Sequence, residues 1–188
     1  AGDVPVEATV VKISEGNDIA ILKLEEQIHN SKHLILSSKD NVRETQSVYA
    51  LGYPYVVTAY GQDFSEQKDE DVTIEKGAIS KFPTKRGVKY IMHSAQLSQG
   101  CSGGPLVDSD GNVVAVNNSM ITTGDQNYYY SVQIDVVREI LDTLGIQYDS
   151  VDNQALTNTG DGDDISKIKA SLMGPLAGIG DSLIAGTL

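Results

Sequence analysis

At 188 residues and 40% apolar content, the chain can form one globular domain with a sizeable core, plus an appendage. Its formal net charge of −12 argues against nucleic acid and anionic membrane surfaces as partners, because both would repel it. A single cysteine excludes an internal disulfide framework.

Val4 to Ile13 is valine-rich and alternates loosely, which predicts a strand. Ser14 to Asn17 make a turn, and Asp18-Ile-Ala-Ile-Leu-Lys-Leu24 opens a second strand. Asp18 either closes that turn, as aspartates commonly do, or orients a catalytic partner from the start of a buried strand. Glu25 to Ser47 is polar and irregular, and His29 and His33 within it read as surface residues. Ser47 to Pro54 is a strand. Tyr55 to Asp71 is a loop with an acidic patch (Glu66, Asp69, Glu70, Asp71) that reads as a solvated face. Val72 to Phe82 alternates and holds one glycine, which predicts a strand with a bulge; Val88 to His93 is another strand.

Gln99 to Leu106, Q-G-C-S-G-G-P-L, carries one candidate nucleophile, Ser102, among Gly100, Gly103 and Gly104. Serine chemistry needs a hydroxyl at a sharp bend, with backbone N–H groups nearby to receive the charge of a tetrahedral intermediate. Glycines permit both the bend and the close approach of a substrate carbonyl. Leu106-Val107, a turn over Asp108 to Asn112, and Val113 to Val116 form a hairpin. Tyr128 to Val132 is a further strand. Asp135 to Leu144 then has helical period, with Ile134, Val137, Ile140, Leu141 and Leu144 on one face, Asp135 as N-terminal cap and Gly145 as the stop.

The strings G-C-S-G-G-P-L, N-D-I-A-I-L-K-L and L-G-Y-P resemble trypsin-like serine proteases of the chymotrypsin fold, best of all the HtrA/DegP-like branch, over about residues 4–147. The resemblance implies an all-β, trypsin-like double β-barrel, present as the second barrel plus the end of the first, with a C-terminal helix. It implies Ser102 as nucleophile, Asp18 as triad aspartate and the N–H groups of Gly100 and Ser102 as oxyanion hole. Gln96 would lie at the base of the specificity pocket, with Val116, Asn117 and Asn118 on its wall, suited to a small or aliphatic side chain. The substrate would be a polypeptide; no cofactor and no metal are called for. The family's general base is a histidine before the aspartate, in a motif like T-A-x-H. His29, His33 and His93 lack those neighbours and that order, so the histidine-bearing part of the first barrel is expected to be missing and this chain to be inactive alone. His93 is then structural, and Cys101, one residue out of register for a nucleophile, fills space. The rival is a peptide-binding relative without the chemistry.

Residues 148–164 are polar and read as a linker; their D-G-D-D cluster lacks the ligand spacing of a calcium loop. In 165–188, the string G-P-L-A-G-I-G-D-S resembles a segment of the enzyme IID subunit of mannose-type sugar phosphotransferase systems. The organisation expected is therefore a protease domain over 1–147, a linker over 148–164 and an apolar, glycine-rich tail over 165–188 that packs loosely on the barrel. The tail alone leaves a sugar-transport component as a further reading. Membrane association, through that tail or a missing N-terminal part, and an extracytoplasmic or membrane-associated place in a bacterium complete the expectation.

Overall fold

The computed structural model describes residues 6–26, 33–54, 72–151, 165 and 168, and the backbone of Ser182–Ala185. Short runs rich in Val, Ile and Tyr, cut by glycine and asparagine turns, form β1 (Ala8–Ser14), β2 (Ile19–Leu24), β3 (Ser47–Gly52), β4 (Thr73–Lys81) and β5 (Thr84–Lys85). They continue as β6 (Val88–His93), β7 (Pro105–Val107), β8 (Val113–Thr123) and β9 (Gln126–Gln133), then helix α1 (Ile134–Leu144) and β10 (Ser182–Ala185). Strands pair in the order β4-β3-β7-β8-β9-β6, and β4 also pairs with β6, so six strands close into a barrel that β5 extends. β1, β2 and β10 form a separate three-stranded sheet with β2 in the middle. The all-β, trypsin-like fold is the one observed: a closed barrel, strands of a second sheet and a helix after the barrel.

Alternation along β3 divides the core. Val48 and Ala50 join Ile79, Ile91, Leu106 and Val114 in a cluster drawn from barrel strands, which fills the barrel. Tyr49 and Leu51 point the other way and join Ile19 and Ile21 of β2 with Val137 and Leu141 of α1. That second cluster fastens the three-stranded sheet and the helix to the barrel's outer face.

Several elements differ from expectation, each for a local reason. Gly77 makes no bulge: it pairs in register with Val48, and a Cβ there would lie 2.0 Å from the Ala95 backbone nitrogen. The irregularity of β4 falls between Ile79 and Lys81. β8 runs on through N-N-S-M-I-T-T, a polar stretch that pairs with β9 as a long hairpin. Asp135 does not cap α1, whose N-cap is Gln133; its carboxylate accepts from the Lys39 backbone N–H at 2.7 Å, while Gly145 stops the helix in the left-handed region (φ 68°). Leu144 is exposed and Val136 takes its place on the buried face.

Residues 33–46, the described part of the polar crossing between β2 and β3, are more ordered than their polarity suggests. Leu36 is fully buried and bridges in parallel to both Val113 and Ser150. Asp149 and Val151, the start of the expected linker, are held by backbone bonds to Leu36, at 2.9 Å each. The expectation of a loosely packed tail also gives way: Ile168 is fully buried in the β2–α1 cluster, and β10 pairs antiparallel with β2 from Ser182↔Lys23 to Ala185↔Ala20. Among the described residues no helix is long and apolar enough to cross a membrane. Val4, His29, the acidic loop, the D-G-D-D cluster and the phosphotransferase-like string lie outside the described residues.

Candidate active site

Ser102 sits on a loop tied to the barrel on both sides. Gly100 and Gly103 have φ of 95° and 81°, a region that side chains rarely enter. The Gly103 N–H donates to Asn117 O at 2.9 Å, and the Asn117 N–H returns a bond to Gly104 O at 2.8 Å. A Cβ on Gly104 would lie 2.2 Å from the Leu51 carbonyl oxygen, so only glycine lets the loop lie flat against β3. Within the loop, the Cys101 N–H is taken by Ser98 O and the Gly104 N–H by Cys101 O. From Gly100 to Gly104, the N–H groups of Gly100 and Ser102 are therefore those with no protein acceptor among the described residues.

The half-buried Ser102 hydroxyl donates to the Asn118 backbone carbonyl at 3.1 Å. Asn118 lies where β8 slips register against β9, between Asn117 and Ser119. A bulge of this kind re-aims one residue, and here it frees the Asn118 carbonyl from the ladder. The Asn118 side chain extends the link, since its Nδ2 donates to Asp18 Oδ2 at 2.9 Å. Asp18 itself occupies the left-handed region (φ 54°) where the Glu15–Asn17 turn enters β2, so it both closes the turn and turns its carboxylate toward β8. Its charge also reaches Tyr90, whose pKa is raised by burial first and by Asp18 second.

The other expected site residues fare unequally. Gln96 is exposed, ahead of the nucleophile loop. The Val116 side chain is buried in the cluster shared with β2 and α1. The Asn117 side chain likewise turns inward, donating to Leu51 O at 3.1 Å and Pro105 O at 3.3 Å. Asn118 bridges Ser102 and Asp18. Nothing in the string V-N-N-S marks which asparagine the bulge selects; a register slip is set by the partner strand.

Cys101 is buried in the barrel cluster, its Sγ 3.7 Å from Ser98 Oγ. His33 is exposed and bonds Asp149 through Nε2 at 2.5 Å. His93 is buried, with Nε2 2.9 Å from Ser131 Oγ and its ring stacked beside Tyr129. Burial pushes its pKa down to about 4, a fall that the Ala95 backbone partly offsets. Neither histidine bonds Ser102 or Asp18. Among the described residues no cluster of three metal-ligating side chains occurs.

The chain thus carries a serine on a glycine-lined bend, tied by one asparagine to an aspartate at the entrance to β2. The family model for the trypsin-like peptidase domain matches residues 1–116, more than half the chain, and the chain belongs to that family. Its relatives are HtrA-type. The chloroplastic Protease Do-like 5 of Arabidopsis thaliana is 28% identical over 119 residues, covering 62% of this chain and 34% of that protein. The magnetosome formation protease MamE of Paramagnetospirillum magneticum is 29% identical over 127 residues, 64% of this chain and 16% of MamE. The chain thus spans about a third of the first and about a sixth of the second. The solved HtrA-type protease AlgW with a tripeptide shares the fold, with a TM-score of 0.58 at 22% identity over 73% of this chain and 43% of AlgW. A second family model, for the mannose/fructose/sorbose family IID component of the phosphotransferase system, matches residues 128–188. That match begins inside the barrel, at β9, well before the tail.

Proposed function

We propose that this chain is the nucleophile-bearing part of a serine endopeptidase, with its general base on a histidine outside the 188 residues. The supporting observation is that Ser102, on the loop before β7, and Asp18, at the entrance to β2, converge on Asn118. In the reaction the base takes the Ser102 proton as Oγ bonds to the peptide carbonyl carbon. The N–H groups of Gly100 and Ser102 receive the oxyanion. The carbonyl–nitrogen bond then breaks, the amine leaves with the proton from the base, and water hydrolyses the acyl-serine. Asp18 orients the imidazole and stabilises its charged form. Gln96 is proposed for the base of the specificity pocket and the strand Val116-Asn117-Asn118 for its wall. An extracytoplasmic or membrane-associated bacterial setting belongs to the same proposal, resting on the bacterial relatives.

A non-catalytic peptide binder is the second reading, favoured by one observation: the Ser102 hydroxyl is held by a carbonyl and not by a base. A dye-labelled unfolded protein separates the two. The 188-residue chain should cleave it no faster than its Ser102→Ala variant. A version extended by its natural upstream sequence should cleave it and acquire a covalent phosphonate label on Ser102. An extended version that takes no label and cleaves nothing establishes the binder; cleavage by the present chain that is lost in Ser102→Ala places the base within these residues.

A further inference from the structure

The barrel holds a buried polar chain that the reaction does not use. Asn117 donates both protons of its side-chain amide to backbone carbonyls, Leu51 O and Pro105 O, which fixes its orientation. Its Oδ1 is thereby an acceptor, and Ser131 Oγ donates to it at 3.1 Å. A hydroxyl has one proton, so Ser131 Oγ must accept from its other neighbour, His93 Nε2, 2.9 Å away. Two backbone carbonyls thus dictate, through two side chains, that the neutral ring carries its proton on Nε2. The remaining nitrogen, Nδ1, is buried with no described group in hydrogen-bond geometry, while the Ala95 backbone lies near enough to the ring to raise its pKa. His93 is 2% exposed and Asn117 and Ser131 are fully buried, so water does not replace a missing member cheaply.

The far end of this chain of bonds is the nucleophile loop. Asn117 is the residue whose backbone accepts from the Gly103 N–H and donates to Gly104 O, directly behind Ser102. It also precedes the bulge residue Asn118, whose carbonyl holds the Ser102 hydroxyl.

We propose that His93, through Ser131 and Asn117, is a positioning residue that fixes the backbone behind Ser102 and the bulge that presents Asn118 to it. Its role is donation from Nε2, not acid–base chemistry. The inference takes Ser102 as the nucleophile from the reading above, yet its test reads the loop itself and so stands or falls separately from any activity.

The test compares the wild-type chain with His93→Phe, which keeps a ring but loses the donor, and His93→Gln, which restores an N–H donor. Long-range proton–nitrogen NMR should show the His93 proton on Nε2. In His93→Phe, amide exchange at Gly103 should quicken at least tenfold, while that at Ile91 and Val132 on the barrel stays slow. His93→Gln should recover most of the lost protection. Ser131→Ala should reproduce the Phe variant, which guards against a substitution that merely fails to fold. A proton found on Nδ1, Gly103 exchange unchanged in both the Phe and Ser131→Ala variants, or no recovery in His93→Gln would each overturn the proposal.

Discussion

The closed barrel and the three-stranded sheet are built from similar valine- and isoleucine-rich strands, yet they are used differently. Along β8 the first six residues are all buried, Val113 and Val116 in one core cluster and Val114 and Ala115 in the other. Along β1, Val10, Val11 and Ile13 are 53%, 41% and 59% exposed. Closure explains the contrast, because a closed barrel removes edges and gives every strand a packed interior face, whereas β1 pairs, among the described residues, with β2 alone. Sequence apolarity alone therefore does not report burial; the number of partners a strand finds does.

Substitutions sharpen this contrast, the largest within the barrel. Leu106, fully buried in the barrel cluster, should cost about 4 kcal/mol when changed to Ala, read as a fall in the denaturant midpoint.

Acid should open the barrel next. His93 titrates at about 4 in the folded chain against 6.5 when exposed, so unfolding takes up a proton as pH falls from 6.5. Its contribution is fully present above about pH 6.5 and is lost progressively down to pH 4, a loss of about 3 kcal/mol. Buried Asp108 acts in the opposite sense: burial raises its pKa against the Asn112 and Asp110 hydrogen bonds, so acid relieves a cost there. Thermal melts of wild type and His93→Gln from pH 7 to 4.5 isolate the histidine, since only the wild type should carry its share of the slope.

The tail supplies a smaller effect that tests whether it belongs to the sheet. Ile168→Ala should cost about 2 kcal/mol, because that side chain is buried against the β2–α1 cluster. Ile165→Ala, at a position 47% exposed, should leave the melting temperature within error. Equal effects at the two positions would return the tail to the loose appendage its composition suggests.

The smallest effect lies on β1. Val11→Thr and Ile13→Thr should change stability by less than about 0.5 kcal/mol and reduce self-association on sedimentation, as expected of exposed apolar residues on an edge.

What the sequence displays of this molecule follows from the range of the interactions. The Gly100–Gly104 loop, the Asp18 turn, the glycine stop of α1 and most strands depend on neighbours within a few residues, and they are legible. The partnership of Ser102 with Asp18 is legible only through resemblance, since no local pattern links them. Asn118 was beyond reach: its role depends on a register slip against β9. The continuation of β8 through Asn118–Thr123 is hidden for a related reason, as a polar half-exposed strand pairs through its backbone and leaves little hydrophobic trace. The inward turn of Val116 and Asn117 depends on which core lies behind each face, and only closure of the barrel decides that.

The clasp around Leu36 carries a consequence for the order of events in folding. Its bonds join distant parts of the chain: His33 and Asp149 are 116 residues apart, and Asn41 Nδ2 and the Val151 carbonyl 110. Closing such loops costs entropy before any contact rewards it, and topologies of this kind fold slowly. On a ribosome the bonds of Leu36 to Asp149 and Val151 must wait until residue 151 has emerged, while its bridge to Val113 and the β3–β4 and β6–β9 pairs can form earlier. The seam between Leu36 and residues 149–151 is thus sewn last, and synthesis interrupted before Asp149 leaves a closed barrel with its belt half undone.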